Sequence, residues 1–201
     1  NRADEGPPPS SNWTGGIRTS STNLLEVVSN TCQNGGAEDS YGSAYWNVET
    51  FGPDAEAFCT MVTKSSNASD EQYIWARITD PGAGTIDGYA VDVDRQNAAS
   101  SRFRIFEVTN NTLTQLGGIV TGEAFASGDK WGIDVISTTI RGMKDVGSGW
   151  AEVLSRTDST HSGAGFIALE FEEGASSTPV QDDFGGGTVA SAAAVAVVVP
   201  S

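Results

Sequence analysis

Positive charge is scarce in this chain. Its 11 lysines and arginines stand against 26 aspartates and glutamates, a formal net charge of -15. A grip on nucleic acid needs a basic stripe that neutralises phosphates, so no nucleic-acid partner is expected. Long apolar runs are missing as well. The longest, from Val189 to Val199, is about half of the ~20 residues that a membrane-spanning helix needs, which argues against membrane insertion. With one histidine and two cysteines, the chain lacks the four closely spaced ligands of a structural zinc site. That histidine, His161, lies inside Asp158-Ser-Thr-His-Ser162, where acid, imidazole and hydroxyls share one turn. A catalytic triad draws those groups from separate elements, so these read as hydrogen-bonded loop residues. Neither Gly15-Gly16 nor Gly185-Gly-Gly187 has the strand-to-helix context in which glycines cradle phosphate.

Helical periodicity is nearly absent too. In its place, short β-branched and aromatic runs recur between glycines, asparagines and aspartates. Strands are expected over 24–28, 44–46, 57–62, 73–78, 89–93, 103–108, 113–116, 131–136, 138–143, 151–155, 165–171 and 180–184. Tyr89, Val91 and Val93 share one face of their run, with Asp92 and Asp94 on the other. Trp131, Ile133 and Val135 likewise oppose Gly132 and Asp134. Such alternation belongs to antiparallel sheets with one apolar face. About a dozen strands of this kind pack most economically as two sheets around one core. A length of 201 residues with 38% apolar side chains suits a single domain.

Two features carry alternatives. Cys32 and Cys59 lie in separate β-prone runs, where they either pair as a disulfide in an oxidising compartment or fill space as small buried apolar residues. Beyond Asp183-Phe184, the run Gly185-Gly-Gly187 reads as a hinge, and an uncharged, valine- and alanine-rich segment follows it. Left free in water, that segment is an aggregation hazard. Either it returns as a strand of its own sandwich, or it pairs with a neighbouring subunit by strand addition. The second reading makes residues 185–201 a hinge and assembly arm, with Val189, Val195, Val197, Val198 and Val199 as its contact residues.

Several motifs occur in a recognisable order: Asn1-Arg-Ala-Asp4 with Asn12-Trp13, Ser43-Ala-Tyr-Trp46, Phe51-Gly-Pro-Asp-Ala-Glu-Ala-Phe58, Asp87-Gly-Tyr-Ala90, Ser127-Gly-Asp-Lys-Trp-Gly-Ile133, Gly149-Trp150, Asp158 to Phe166, and Asp182-Asp-Phe184. In that order they resemble the concanavalin A-like lectin/glucanase jelly rolls, in the LamG-like form of phage virion and bacterial surface proteins. The resemblance covers residues 1–184. It implies an all-β, two-sheet antiparallel jelly-roll sandwich, here extended by the C-terminal arm.

The resemblance also sets expectations for chemistry. Glucanases of this fold carry Glu-x-Asp-x-x-Glu, or a variant one residue shorter, on one strand, and neither spacing occurs here. The nearest same-face pairs, Asp92 with Asp94 and Glu170 with Glu172, read as solvated acids on an outward sheet face, although Asp92 and Asp94 sit on a central run. Many members hold a structural calcium between the N-terminal segment and the last strand, for which Asp4, Glu5, Asp182 and Asp183 are the candidate oxygen ligands. Ordinary exposed acids are the alternative. Glycan binding needs an exposed aromatic platform with polar groups beside it. Trp46, Trp75, Arg77 and Trp150 are the candidates, against core packing for each tryptophan. The expected function is a non-enzymatic protein of an extracellular or virion surface. It would serve in decoration or attachment, with neighbouring subunits and surface glycans as partners, no required cofactor, and that structural calcium as an option. The alternative is a secreted carbohydrate-binding module or a laminarinase-like glycoside hydrolase.

Overall fold

A computed structural model of the chain describes residues 4–21, 23–36, 40–65, 70–82, 84–94, 101–173 and 178–190. They form fifteen strands and, among the described residues, no helix: β1 (Trp13–Gly15), β2 (Asn23–Val28), β3 (Thr31–Asn34), β4 (Ser40–Trp46), β5 (Ala55–Thr63), β6 (Glu71–Thr79), β7 (Asp87–Asp94), β8 (Arg102–Thr109), β9 (Thr112–Gln115), β10 (Val120–Thr121), β11 (Lys130–Ile136), β12 (Thr139–Asp145), β13 (Ala151–Thr157), β14 (Phe166–Glu173) and β15 (Val180–Thr188). Each run expected from alternation overlaps one of these strands. The unexpected ones are β1, β3 and β10, which are short or polar.

The first sheet runs β10-β8-β7-β6-β14-β4, with β9 also on β8 and β1 on β4. The second runs β3-β15-β5-β11-β12-β13. Strand β2 joins them. Asn23 and Leu24 pair parallel to β4, and from Leu25 onward the strand turns to pair antiparallel with β3. Between the sheets, Ile74, Val91, Phe103 and Leu169 of the first meet Cys59, Met61, Trp131 and Ile133 of the second, all at most 1% exposed. A polar bridge crosses this core. Gln181 on β15 donates to Gln72 on β6, and its Oε1 accepts from Trp131 Nε1 at 3.4 Å and from Cys59 Sγ at 3.3 Å. Burying those amides is tolerable because they bond one another.

The hinge reading and the disulfide alternative both fail here for geometric reasons. The glycine run is not a hinge: Gly185, Gly186, Gly187 and Thr188 continue β15, paired with Phe58, Ala57, Glu56 and Ala55 of β5. Gly186 is required there, since a Cβ would stand 2.3 Å from the Glu56 carbonyl oxygen. The sandwich therefore extends past residue 184, and Val189 N still donates to Asp54 O at 2.9 Å. The arm residues Val195, Val197, Val198 and Val199 lie outside the described residues. The cysteines are free thiols. Strand β15 runs between β3, which carries Cys32, and β5, which carries Cys59. Two strand spacings of ~4.8 Å separate their Cα atoms, more than the ~7 Å a disulfide spans. Burial pushes the Cys32 thiol up to about 12 and Cys59 well above its ordinary value, so both stay protonated.

Candidate functional site

The first sheet is buried on both faces, which one-sided alternation does not anticipate. Its outer face, turned away from the second sheet, is crossed by residues 16–21, with Ile17 packed among Tyr73, Trp75 and Ala168. Ser43 Oγ accepts from Ile17 N at 3.0 Å and donates to Ser21 Oγ at 3.1 Å, fixing that crossing. The crossing carries Arg18 onto an aromatic floor, its guanidinium 5.1 Å from the Tyr73 ring centroid, 5.4 Å from Tyr41 and 5.7 Å from Trp75. Arg18 Nε and Nη2 donate to Glu170 Oε1 at 2.8 and 2.6 Å. Burial raises the Glu170 carboxyl, and Arg18 opposes that rise; Trp75 Nε1 lies near enough to favour the charged form without completing a hydrogen bond.

Beside this pair lies a larger network built across β6, β7 and β8. Cross-strand register sets Asp92 opposite both Tyr73 and Arg104, and Asp94 opposite both Glu71 and Arg102. Arg104 Nη2 reaches Glu71 Oε1 at 2.7 Å, Asp92 Oδ2 at 2.5 Å and Asp94 Oδ2 at 3.2 Å. Arg102 Nε donates to both oxygens of Asp94 at 2.8 Å. Tyr73 and Tyr41 hydroxyls donate to Glu71 Oε2 at 2.6 and 2.9 Å.

The groups titrate apart. Burial alone would raise Glu71, but hydrogen bonds from Tyr73 and Arg104 outweigh it and hold the carboxyl below its ordinary value. Asp92 is pushed well above its own, first by complete burial and then by Glu71 and Asp94, with Arg104 opposing. Both tyrosines are raised by burial and by the carboxylate they serve, so they remain donors. Asp92, Asp94 and Glu170 are wholly buried, while the side chains of Glu71 and Arg102 keep 25% and 28% of their surface in solvent. An incoming ligand meets the latter two first.

The expected glycan residues do not converge. Trp75 is in the outer face but fully buried. Arg77 is on the same strand, yet a bulge between Ala76 and Thr79 and a φ of 53° turn it away. Its guanidinium instead donates to the His161 carbonyl at 2.9 Å and lies 3.5 Å from Asp54. Gly165 makes that bulge fit, because a Cβ there would stand 2.3 Å from the Arg77 carbonyl carbon. Trp46 packs edge-on against Trp13 at 5.6 Å, beside the inter-sheet core. Trp150 alone is exposed, at 44%; it leans on Phe58 over a shallow groove of about 150 Å³ on the outer face of the second sheet.

The calcium candidates do not converge either. Asp4 Oδ1 accepts from Ser29 N, Glu5 bridges Val27 through its backbone, and Asp182 Oδ1 accepts from Asp183 N. Among the described residues, the carboxylates close enough to share an ion are Glu71, Asp92 and Asp94, within 4.8 Å of one another. The solvated acids expected at Asp92, Asp94 and Glu170 are thus buried ion-pair members. Arg18, Glu71, Arg102 and Arg104 went unnoticed, although Arg102-x-Arg104 mirrors Asp92-x-Asp94 at the same spacing one strand away.

No family model matches the chain, and no curated protein matches it. Solved structures do. The chain superposes on a legume lectin-like domain from Entamoeba histolytica with a TM-score of 0.65, at 9% identity over 89% of this chain and 91% of that one. The carbohydrate-binding module CBM66 from Bacillus subtilis gives 0.63, at 15% identity over 88% and 95%. The exoplasmic/lumenal domain of VIP36, in its form bound to Ca2+ and Man3GlcNAc, gives 0.66, at 10% identity over 90% and 85%. The fold is that of the concanavalin A-like lectins. At these identities the likeness establishes the jelly-roll sandwich, while the residues of the outer face are this chain's own.

Proposed function

We propose that this chain is a non-catalytic sugar-binding module whose ligand lies on the outer face of the first sheet, against Glu71, Tyr41, Arg102 and Arg104. One observation carries the reading. A sheet face that needs only apolar residues to be covered instead holds three arginines locked to carboxylates beside aromatic rings. That is the chemistry a polyol asks for: carboxylate oxygens accept from neighbouring hydroxyls, guanidinium N–H groups donate to them, and aromatic rings cover the C–H face. The buried carboxylates hold the exposed Glu71 and Arg102 in place before a ligand arrives, which lowers the ordering cost of binding. Sugar named in the bound forms of VIP36, and carbohydrate in the name of CBM66, support the same reading by analogy of fold.

The non-catalytic part rests on position. A glycosidase needs a protonated carboxyl that reaches the leaving oxygen. Asp92, the carboxyl raised most plainly beside Glu71, is wholly buried and bonded to Arg104, and Glu172, raised by burial but only half-buried, is tied at 3.1 Å to the Glu71 backbone N–H. An extracellular or virion-surface setting rests on the motif resemblance and on a charge of -15, which keeps the outward surface soluble by self-repulsion. An assembly arm, if residues 191–201 form one, begins after β15 rather than at the glycines.

A glycan array tests this with wild type, Glu71→Gln, Arg102→Ala and Trp150→Ala, each checked for folding by circular dichroism. Wild type should bind a restricted set of glycans without releasing reducing sugar. The first two variants should lose about tenfold or more in affinity, the worth of one charge-assisted hydrogen bond. Trp150→Ala should bind as wild type does. Wild type binding no glycan, or binding lost only in Trp150→Ala, overturns the proposal; the latter result moves the site to the second sheet.

A further inference from the structure

Three carboxylates gathered within 4.8 Å are the donor set of a hard cation, which takes oxygen ligands at about 2.3–2.6 Å. Here a guanidinium already occupies that position. Nη2 of Arg104 contacts an oxygen of all three residues, at 2.7 Å from Glu71, 2.5 Å from Asp92 and 3.2 Å from Asp94, and Nε adds a second bond to Asp92 at 2.6 Å. The position is fixed by sequence, since Arg104 is the cross-strand partner of Asp92 and its guanidinium lies 5.4 Å from the Phe106 ring centroid. An ion cannot enter beside it without sharing the same oxygens with a second positive charge.

We infer that Arg104 is the resident cation of this face: its guanidinium stands where a divalent ion would sit among Glu71, Asp92 and Asp94, so the face assembles without calcium, and removing that one charge converts it into a divalent-cation site. The charge balance agrees. With Arg104 gone and Arg102 kept, a divalent ion that displaces any carboxyl proton meets three carboxylates carrying an excess of two negative charges, which it neutralises. A spare ligand atom is also in place. Asp92 is 0% exposed, and its Oδ1 has no hydrogen-bond partner. Burying such an acceptor is costly unless something satisfies it, and a metal ion does so directly.

The inference concerns the face described above, but it does not depend on a sugar being bound there. Its test is the melting temperature of the full chain at neutral pH with millimolar calcium chloride or with EDTA, for wild type, Arg104→Gln and Arg104→Lys. Wild type should melt at the same temperature in both conditions. Arg104→Gln should be destabilised in EDTA and regain several degrees in calcium, through preferential binding of the ion to the folded state. Arg104→Lys keeps a cation and should stay indifferent to calcium. A wild-type melting temperature that rises with calcium, and loses that rise in Asp94→Asn, overturns the inference, as does a folded Arg104→Gln that ignores calcium. If Arg104→Gln does not fold in either condition, the wild-type comparison decides alone. A silent glycan array leaves these outcomes untouched.

Discussion

The two faces of the first sheet are both buried around apolar clusters, but only the outer one also carries buried charge. Toward the second sheet, β6, β7 and β8 present Ile74, Ala76, Val91, Val93, Phe103 and Ile105; away from it, the same strands present Tyr73, Trp75, Asp92, Asp94, Arg102 and Arg104. The inner face is stabilised by removing apolar surface from water, a non-directional effect that tolerates repacking. The outer face gains from pairing charges only after each has lost its water, and it tolerates almost no vacancy. The lesson is that equal burial does not mean equal contribution to stability. The inner face holds the fold by apolar burial, whereas the outer face adds to its own apolar cluster a particular arrangement of polar groups.

That contrast breaks most visibly at a single pair. Glu170→Ala leaves Arg18 buried without its carboxylate and should cost about 3–5 kcal/mol, as much as Phe103→Ala on the inner face. Replacing both members of the pair, Arg18→Met with Glu170→Leu, should come back to within about 1 kcal/mol of wild type, because no charge is then stranded. No second change near Phe103 restores the inner face in that way. Urea unfolding of these variants beside wild type measures the difference, and a double variant as unstable as Glu170→Ala would show that the pair itself stabilises the fold.

How the sequence announced these two faces also differs. The inner face was legible because β-branched and aromatic residues alternate over most strands, so the strands and the two-sheet packing followed from residues such as Tyr89, Val91 and Val93. The same pattern misled for Asp92 and Asp94, since alternation says which residues share a face and not what covers that face. Ile17 and Arg18, from a segment distant in sequence with no periodic signal, cover the face around Trp75 and Glu170, while Arg104 and Arg102 pair with Asp92 and Asp94. Arg77 escaped for another reason. A one-residue bulge reverses the side that parity assigns, and the glycine that permits it, Gly165, lies far along the chain just before β14. Gly185-Gly-Gly187 was read as a break because glycine weakens isolated strands, but the close approach of the β5 backbone demands a glycine at 186.

Acid and base separate the faces further. The folded-state value of Asp92 is raised above its unfolded value near 3.8, with burial as the leading cause. A raised carboxyl contributes stability that is fully present below the unfolded value and is lost as pH rises through the folded one. An amide at this position does not titrate and carries no such loss. The melting temperature of Asp92→Asn, relative to wild type, should therefore climb as pH increases from about 4 upward and then level off. Glu71 works in the opposite direction, since its lowered value gives stability that is kept above the unfolded value and lost as pH falls through the folded one. Asp92→Asn falling behind wild type as pH rises would mean that Asp92 is ionised and held by Arg104 as an ordinary ion pair.

The smallest effect belongs to a pair that repeats the same chemistry in a wetter place. On the outer face of the second sheet, Arg141 Nε and Nη2 donate to the two oxygens of Asp134 at 2.7 and 2.6 Å, a fork as well formed as that of Arg102 on Asp94. The difference is solvent. The Asp134 side chain keeps 13% of its surface exposed and Arg141 31%, whereas Asp94 keeps none. Water and salt screen the exposed pair, so a double-mutant cycle on Asp134 and Arg141 should give a coupling of about 0.5–1 kcal/mol that shrinks further in high salt. The cycle on Asp94 and Arg102 should give a larger coupling that salt scarcely changes, because one partner is out of reach of ions. Equal couplings would mean that bidentate geometry, rather than burial, governs both pairs. The outer face of the first sheet would then owe its rigidity to the shape of its guanidinium contacts alone.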